Sequence, residues 1–192
     1  SRFVDFPQVR IHVGDNHSTK LLDLEKYYPV QLSNGKLSYN RNLTNIGMSA
    51  NIMKGFDFVE EASWLLILSD DDLLSDFNSK ELLRILRLKV NSVAAVKFNG
   101  THKSEATLNF QQVLEECRSV KGLNSYLFLS NTIYNVKYVL PHIGAGYLNL
   151  HTYTPHFLVL LKVLSEGANI FTYPRYLVNY VVPEIGYNYW KV

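Results

Sequence analysis

Hydrophobic positions along the chain change period several times, and the changes divide it into short elements. Val9–Val13 alternates and is rich in β-branched residues, which predicts a strand ending in the turn formers Gly14-Asp15-Asn16-His17-Ser18. Leu21–Tyr27 predicts a short helix. Val30–Leu32 and Leu37–Tyr39 flank Asn34-Gly35, a pattern that reads as two strands around a tight turn. From Asn45 to Glu61 the apolar residues Ile46, Ile52, Met53, Phe56 and Val59 recur at helical spacing. Trp64–Leu68 is short and wholly apolar, as in a strand covered on both faces in the middle of a parallel sheet.

Ser69-Asp70-Asp71-Asp72 ends that run. Ser79–Leu88 predicts a helix with basic residues toward its end, Val93–Phe98 a strand, and Leu108–Cys117 a helix. Tyr126–Ser130 reads as a strand. Thr154–Ser165 predicts a strongly apolar helix, with Gly167 at its stop. Ile170–Val182, rich in Tyr and Val, fits neither period cleanly. Strands alternating with helices imply an α/β fold with crossover connections. Ligands in such sheets sit outside the carboxyl ends of the strands. The Asp15–Ser18 loop and the Asp70–Asp72 loop both follow strands, so parallel strands would place both on one rim.

Composition narrows the picture. The 192 residues are 47% hydrophobic and suit one domain spanning residues 1–192. A net charge of +2 gives no electrostatic footprint for nucleic acid. The single cysteine, Cys117, excludes an internal disulfide, and no Cys/His cluster has zinc spacing. That usage fits a reducing cytoplasm. The longest apolar runs, Trp64–Leu68 and Phe157–Leu161, are too short to span a bilayer, so a soluble or at most peripheral protein is expected.

Three consecutive carboxylates are costly unless solvated or bound to a cation. Oxygen ligands on a compact loop suit Mg2+ or Mn2+, which bind one or two carboxylates and complete their shell with substrate phosphates. In an extended segment Asp70 and Asp72 would face one ligand while Asp71 faces away. The plain alternative is a solvated turn capping a helix.

The order of motifs resembles family 2 glycosyltransferases. Their V-x-D-N-x-S-T pattern is similar to Val13-Gly14-Asp15-Asn16-His17-Ser18-Thr19, their N-x-G segment to Asn45-Ile46-Gly47, and their apolar strand ending in D-x-D to Leu66–Leu74. Ser130-Asn131-Thr132-Ile133-Tyr134 resembles the serine-rich strand of the abequosyltransferase-like subgroup that builds O-antigen and capsule sugars, in lipopolysaccharide and other surface polysaccharides.

The resemblance implies a glycosyltransferase A-type fold with a mixed, mainly parallel sheet flanked by helices. It implies transfer of a sugar from a nucleotide-diphosphate donor to a saccharide or lipid-linked saccharide, at the inner face of a membrane or in the cytoplasm. It places Asp15, with Asn16 and Ser18, at the base or ribose, and Asn45 and Gly47 along the nucleotide pocket. Asp70 and Asp71 fall beside the substrate, and Asp70 and Asp72 hold Mn2+ or Mg2+. Singly, these residues read as an Asx turn, a helix cap and a packing glycine.

The chain departs from the family twice. The family's first strand, ending in P-x-[YF]-N, has no counterpart, so the resemblance implies an N-terminally incomplete domain. Inverting members also use an acidic general base, whereas no Asp or Glu lies between Glu116 and Glu166. His151 and His156 fall in that region and are the candidate bases, histidine titrating near neutrality; a retaining mechanism is the other route. Both departures motivate an alternative, a non-catalytic or truncated relative that binds without turnover. A nucleotidyltransferase would want a glycine-rich phosphate loop, and none is present. His17 is a candidate phosphate contact. Tyr173, Tyr176, Tyr180, Tyr187, Tyr189 and Trp190 offer aromatic faces for an acceptor sugar or, with Arg175 and Lys191, for a membrane interface.

Overall fold

The computed structural model describes residues 6–59 and 62–180, and the aromatic stretch from Tyr187 to Lys191 lies outside the described residues. Strand β1 (Ile11–Asp15) is followed by short helices α1 (Leu24–Tyr27) and α2 (Pro29–Ser33) and by β2 (Leu37–Arg41). Next come α3 (Met48–Lys54), a 3-10 turn over Gly55–Phe58, β3 (Trp64–Leu66), β4 (Asp72–Leu74), α4 (Ser79–Lys89) and β5 (Ala95–Phe98). Then follow β6 (Ala106–Leu108), α5 (Phe110–Cys117), α6 (Val120–Leu127), β7 (Thr132–Asn135), α7 (Val136–Val139), α8 (Ile143–Tyr147), α9 (Pro155–Ser165), β8 (Ile170–Tyr173) and β9 (Val178–Tyr180).

Five strands form a mixed sheet in the order β3-β7-β5-β8-β6. Strands β5 and β8 run parallel; β7 is antiparallel to both β3 and β5, and β6 is antiparallel to β8. The two other pairs stand apart: β1 with β2, parallel, and β4 with β9, antiparallel. The α/β reading and the flanked mixed sheet are therefore observed, with antiparallel pairings outnumbering parallel ones.

The central strands are buried on both faces, and period-2 alternation sorts their side chains into two cores. Ala95, Tyr134 and Ile170 join the apolar residues of α9 on one face. Val96, Phe98, Ile133 and Phe171 join Leu82 and Ile85 of α4 on the other. Local sequence explains the helix ends. Asn78 accepts the backbone N–H groups of Lys80 and Glu81 at the start of α4, and Asn109 and Gln112 form a reciprocal capping box on α5. Gly167, at φ 99°, supplies the left-handed residue after α9.

Four expectations are corrected. Val30–Leu32 lies in α2, because Pro29 supplies the first helical position, and β2 pairs parallel with β1 across the α1–α2 crossover. Asn34-Gly35 is thus a helix exit, with Gly35 at φ 72°. Tyr126 and Leu127 belong to α6, and the strand begins only at Thr132. Trp64–Leu66 pairs with β7 alone among the described strands and is half-buried, at the end of the sheet. Leu108 closes β6 and does not open a helix.

Candidate functional site

Strand direction sets the rim. Because β3 and β5 are both antiparallel to β7, and β8 is parallel to β5, the carboxyl ends of β3, β5 and β8 open on one edge of the sheet. The acidic loop follows β3 on that edge. It is a turn, closed by the Asp72 N–H donating to the Ser69 carbonyl at 3.2 Å. The extended alternation expected for Asp70 and Asp72 is therefore absent, since a turn reverses the chain where alternation needs it straight. Asp70 and Asp71 are exposed, while Asp72 enters β4 and is 6% exposed.

Two segments clamp this loop. The Ser130 hydroxyl accepts the Ser69 N–H at 3.1 Å and hydrogen-bonds the Asp72 carboxylate. Asn131, also buried, accepts the N–H groups of Leu177 and Val178 at 2.9 Å each, which ties the start of β9, the strand paired with β4, to the turn before β7. Among the described residues the Asp72 Oδ1 has no hydrogen-bond partner. Burial, and then the charges of Asp71 and Asp70, push its carboxyl above the usual range against the Ser130 hydrogen bond. A buried carboxylate oxygen without a partner is costly in itself. Among the described residues no three His, Cys, Asp or Glu side chains converge. The donor set nonetheless fits a hard cation that takes one or two carboxylates from the protein and the rest of its shell from phosphate and water.

The second loop is built from amides. Asp15 is buried: its Oδ1 accepts the Ser18 N–H at 2.7 Å, its Oδ2 accepts the Tyr39 hydroxyl at 2.8 Å, and Arg41 stands 3.6 Å away. Hydrogen bonds from Ser18, then that of Tyr39 and the Arg41 charge, hold the carboxyl at about 2 despite burial. Both oxygens are thus spent within the protein, and Asp15 fixes the loop. The chain turns at His17, at φ 65°, whose Nδ1 lies 3.1 Å from the Asn42 carbonyl.

Asn16 spans to the third motif. Its Oδ1 accepts the Ile46 N–H at 3.0 Å, and its Nδ2 donates to Asn45 Oδ1 at 3.0 Å and to the Gly47 carbonyl at 3.3 Å. Asn42 extends the network, donating to Asn16 and Asn51 and accepting from Lys54. Gly47, at φ 83°, occupies backbone space that suits glycine. The structure thus brings Asp15, Asn16, Ser18, Asn45 and Gly47 together. Helix α3 starts from this cluster, and Gly55 after its last residue leaves room for the Ile67 side chain, in the segment between β3 and the acidic loop.

The histidines part company. His151 is exposed in the turn before α9, and the adjacent Thr152 carbonyl accepts the Ser49 hydroxyl, two residues after Gly47. His156 is corrected: it is 2% exposed, inside α9, with Nε2 donating to the Leu127 carbonyl at 3.1 Å. Burial, then the nearby Lys97, lowers its pKa to about 4 against the Leu127 hydrogen bond. Such a group cannot meet an acceptor. Lys97, also fully buried, donates to the Phe128 carbonyl and Thr132 Oγ1, and burial brings it to about 7.

Ser130 and Asn131 brace the acidic loop and the segment entering β9; in the sequence they stand out only as the start of the Ser130–Tyr134 run that resembles a serine-rich strand. Asp57 was missed as well. Its carboxylate accepts the Tyr147 hydroxyl at 3.0 Å, bringing an acid to a region that has none of its own.

No protein-family model matches the chain, and no curated protein matches it in sequence. Solved structures do. The fold is similar to that of Staphylococcus aureus TarS 1–349 solved with UDP, at TM-score 0.62 and 15% identity, covering 93% of this chain and 53% of that one. It is likewise similar to TarS 1–349 solved with UDP-GlcNAc, at TM-score 0.57 and 13% identity, covering 95% and 52%. The chain spans about half the length of these neighbours. The likeness shows a shared glycosyltransferase-like α/β fold and does not single out the abequosyltransferase-like subgroup.

Proposed function

We propose that this chain is a metal-dependent glycosyltransferase that moves a sugar from a nucleoside diphosphate donor to a saccharide or lipid-linked saccharide in surface polysaccharide synthesis. The observation that carries the reading is the Asp72 carboxylate, buried beyond the carboxyl end of β3 beside Asp70 and Asp71, with Oδ1 unpartnered among the described residues. The motif order around Asp15, Asn45 and Asp70–Asp72 supports it, as does the fold shared with TarS, which was solved with UDP and with UDP-GlcNAc.

Asp72, helped by Asp70, would hold Mn2+ or Mg2+. Such an ion supplies charge that stabilises the departing diphosphate. Ser130 orients the Asp72 carboxylate. The Asp15–Ser18 loop and the Asn45–Gly47 segment form one wall of the donor pocket, braced by Asn16. His151 is the remaining histidine to accept the proton of the acceptor hydroxyl. Contact with a membrane surface belongs to the same reading; no helix among the described residues is long and apolar enough to cross one.

Calorimetry with UDP tests this directly. Wild type is expected to bind UDP more tightly with Mn2+ than without, and Asp72→Ala to lose that difference. Unchanged Mn2+-dependent binding in the variant would sink the proposal. A second reading, binding without turnover, is favoured by the burial of His156, which removes one of the two candidate bases. Hydrolysis or transfer of the UDP-GlcNAc sugar by the purified chain rules it out.

A further inference from the structure

A cavity of about 250 Å3 opens outside the carboxyl ends of the parallel strands β5 and β8. It is smaller than the roughly 300–1,000 Å3 of ordinary ligand pockets, so it suits one sugar-sized group and not a whole nucleotide sugar. One wall is a single stripe of α6 and its exit: Lys121, Asn124, Ser125 and Phe128 follow the i, i+3, i+4, i+7 spacing of a helix face. The opposite wall is Tyr176.

The chemistry of these walls is specific. Tyr176 is 48% exposed, and its ring lies over Gly100, where a Cβ would collide with it. The glycine therefore lets an aromatic face stand at the cavity mouth. Lys121, Asn124 and Ser125 make no side-chain hydrogen bond or ion pair among the described residues, although each lines the cavity. An aromatic face together with an unspent amide, a hydroxyl and an ammonium is the recognition set for a sugar ring bearing a negative charge.

The cavity shares its frame with the acidic loop. Asn131 lines it and follows Ser130, which holds Ser69. The Tyr176 carbonyl accepts the Ser75 hydroxyl just after β4, at 3.0 Å. A ligand here is thus placed by the same two segments that clamp Asp72.

We propose that this cavity is a saccharide subsite that selects a sugar carrying an anionic substituent, a carboxylate or a phosphate, with Lys121 reading the charge and Tyr176 the ring. On the transferase reading above, on which this part rests, the subsite takes the acceptor sugar.

Chemical-shift titration of the 15N-labelled full chain tests it, with glucose, glucuronic acid and glucose 6-phosphate as probes. Both charged sugars are expected to shift amides of residues 98–101, 121–128 and 176, and to bind more tightly than glucose; the tighter of the two identifies the substituent. Lys121→Ala should weaken the charged sugars about tenfold, the scale of one hydrogen bond to a charged group, and leave glucose unchanged. Tyr176→Ala should weaken all three. Both positions are exposed, so the variants should fold. Absence of shifts at the cavity, or equal affinity of Lys121→Ala and wild type for the charged sugars, overturns the subsite. UDP with Mn2+ is titrated separately. Sugar binding in a chain that ignores UDP upholds the subsite and overturns its acceptor role.

Discussion

His156 and Asp15 are both buried, and their surroundings move them to the same side of their ordinary values for different reasons. Asp15 is held low because Ser18, Tyr39 and Arg41 stabilise its charge. His156 is held low because burial penalises its charge, and only the Leu127 carbonyl opposes that. Linkage turns this into a measurable slope. Above pH 6.5 His156 is neutral in both folded and unfolded chains and adds no pH dependence. Between 6.5 and about 4 the unfolded chain takes up the proton and the folded one does not, so stability falls as pH falls. Below about 4 both are protonated and the loss is complete, at roughly 3 kcal/mol for this shift. Asp15 weakens folding only below its unfolded value of 3.8, so the two windows separate. Urea unfolding of wild type and His156→Phe between pH 4 and 7 should show a flatter profile in the variant. Parallel profiles would mean that His156 is not buried neutral.

At the scale of elements, α6 shows how packing overrides local pattern. Ser119 caps it by accepting the Gly122 N–H at 3.0 Å, an ordinary helix start. Gly122 in its first turn weakens the helical signal. The structure gives a reason for that glycine: a Cβ would meet the Glu116 carbonyl oxygen of α5, a backbone atom that cannot swing aside. Gly122→Ala is expected to destabilise the fold by about 1–3 kcal/mol through overpacking, although alanine is the better helix former. An unchanged urea midpoint would show that α5 and α6 separate freely.

The same contrast explains what was legible. Strand β5 and helix α9 announce themselves because their burial follows from their own residues. The acidic loop was visible because three carboxylates stand together after an apolar run. Helix α2 was misread because Pro29 opens a helix that Val30 and Leu32 make look like a strand. The resemblance grouped Asn16 with Asn45, but the hydrogen bonds that join them were not legible, because the partners of Asn16 lie 26 to 31 residues away. The burial of His156 depends on α6 arriving from elsewhere in the chain.

The molecule as a whole has a strong part and a weak part, and the proposed donor site draws on both. The five-stranded sheet is covered on both faces, and all four residues of β5 and of β7 are buried. The β1–β2 pair buries only Asp15 and Leu37 along its ten residues. A two-stranded sheet is marginal by itself. This one is held by polar links: the asparagine network to α3, the Lys36 ammonium on the Phe6 and Pro7 carbonyls, and the His12 ring stacked on Phe58 at 3.6 Å. Local opening costs least where few apolar contacts must break. Amides of β1 and β2 should therefore exchange with solvent well before those of β5 and β7. A ligand that needs the Asp15–Ser18 loop in place binds only the closed form, so it should raise the opening cost by mass action. UDP with Mn2+ is expected to slow exchange in β1, β2 and residues 42–47 while barely changing β5. Equal protection of both sheets without ligand would refute the partition. A ligand effect confined to the acidic loop would separate the Asp15 loop from the donor site.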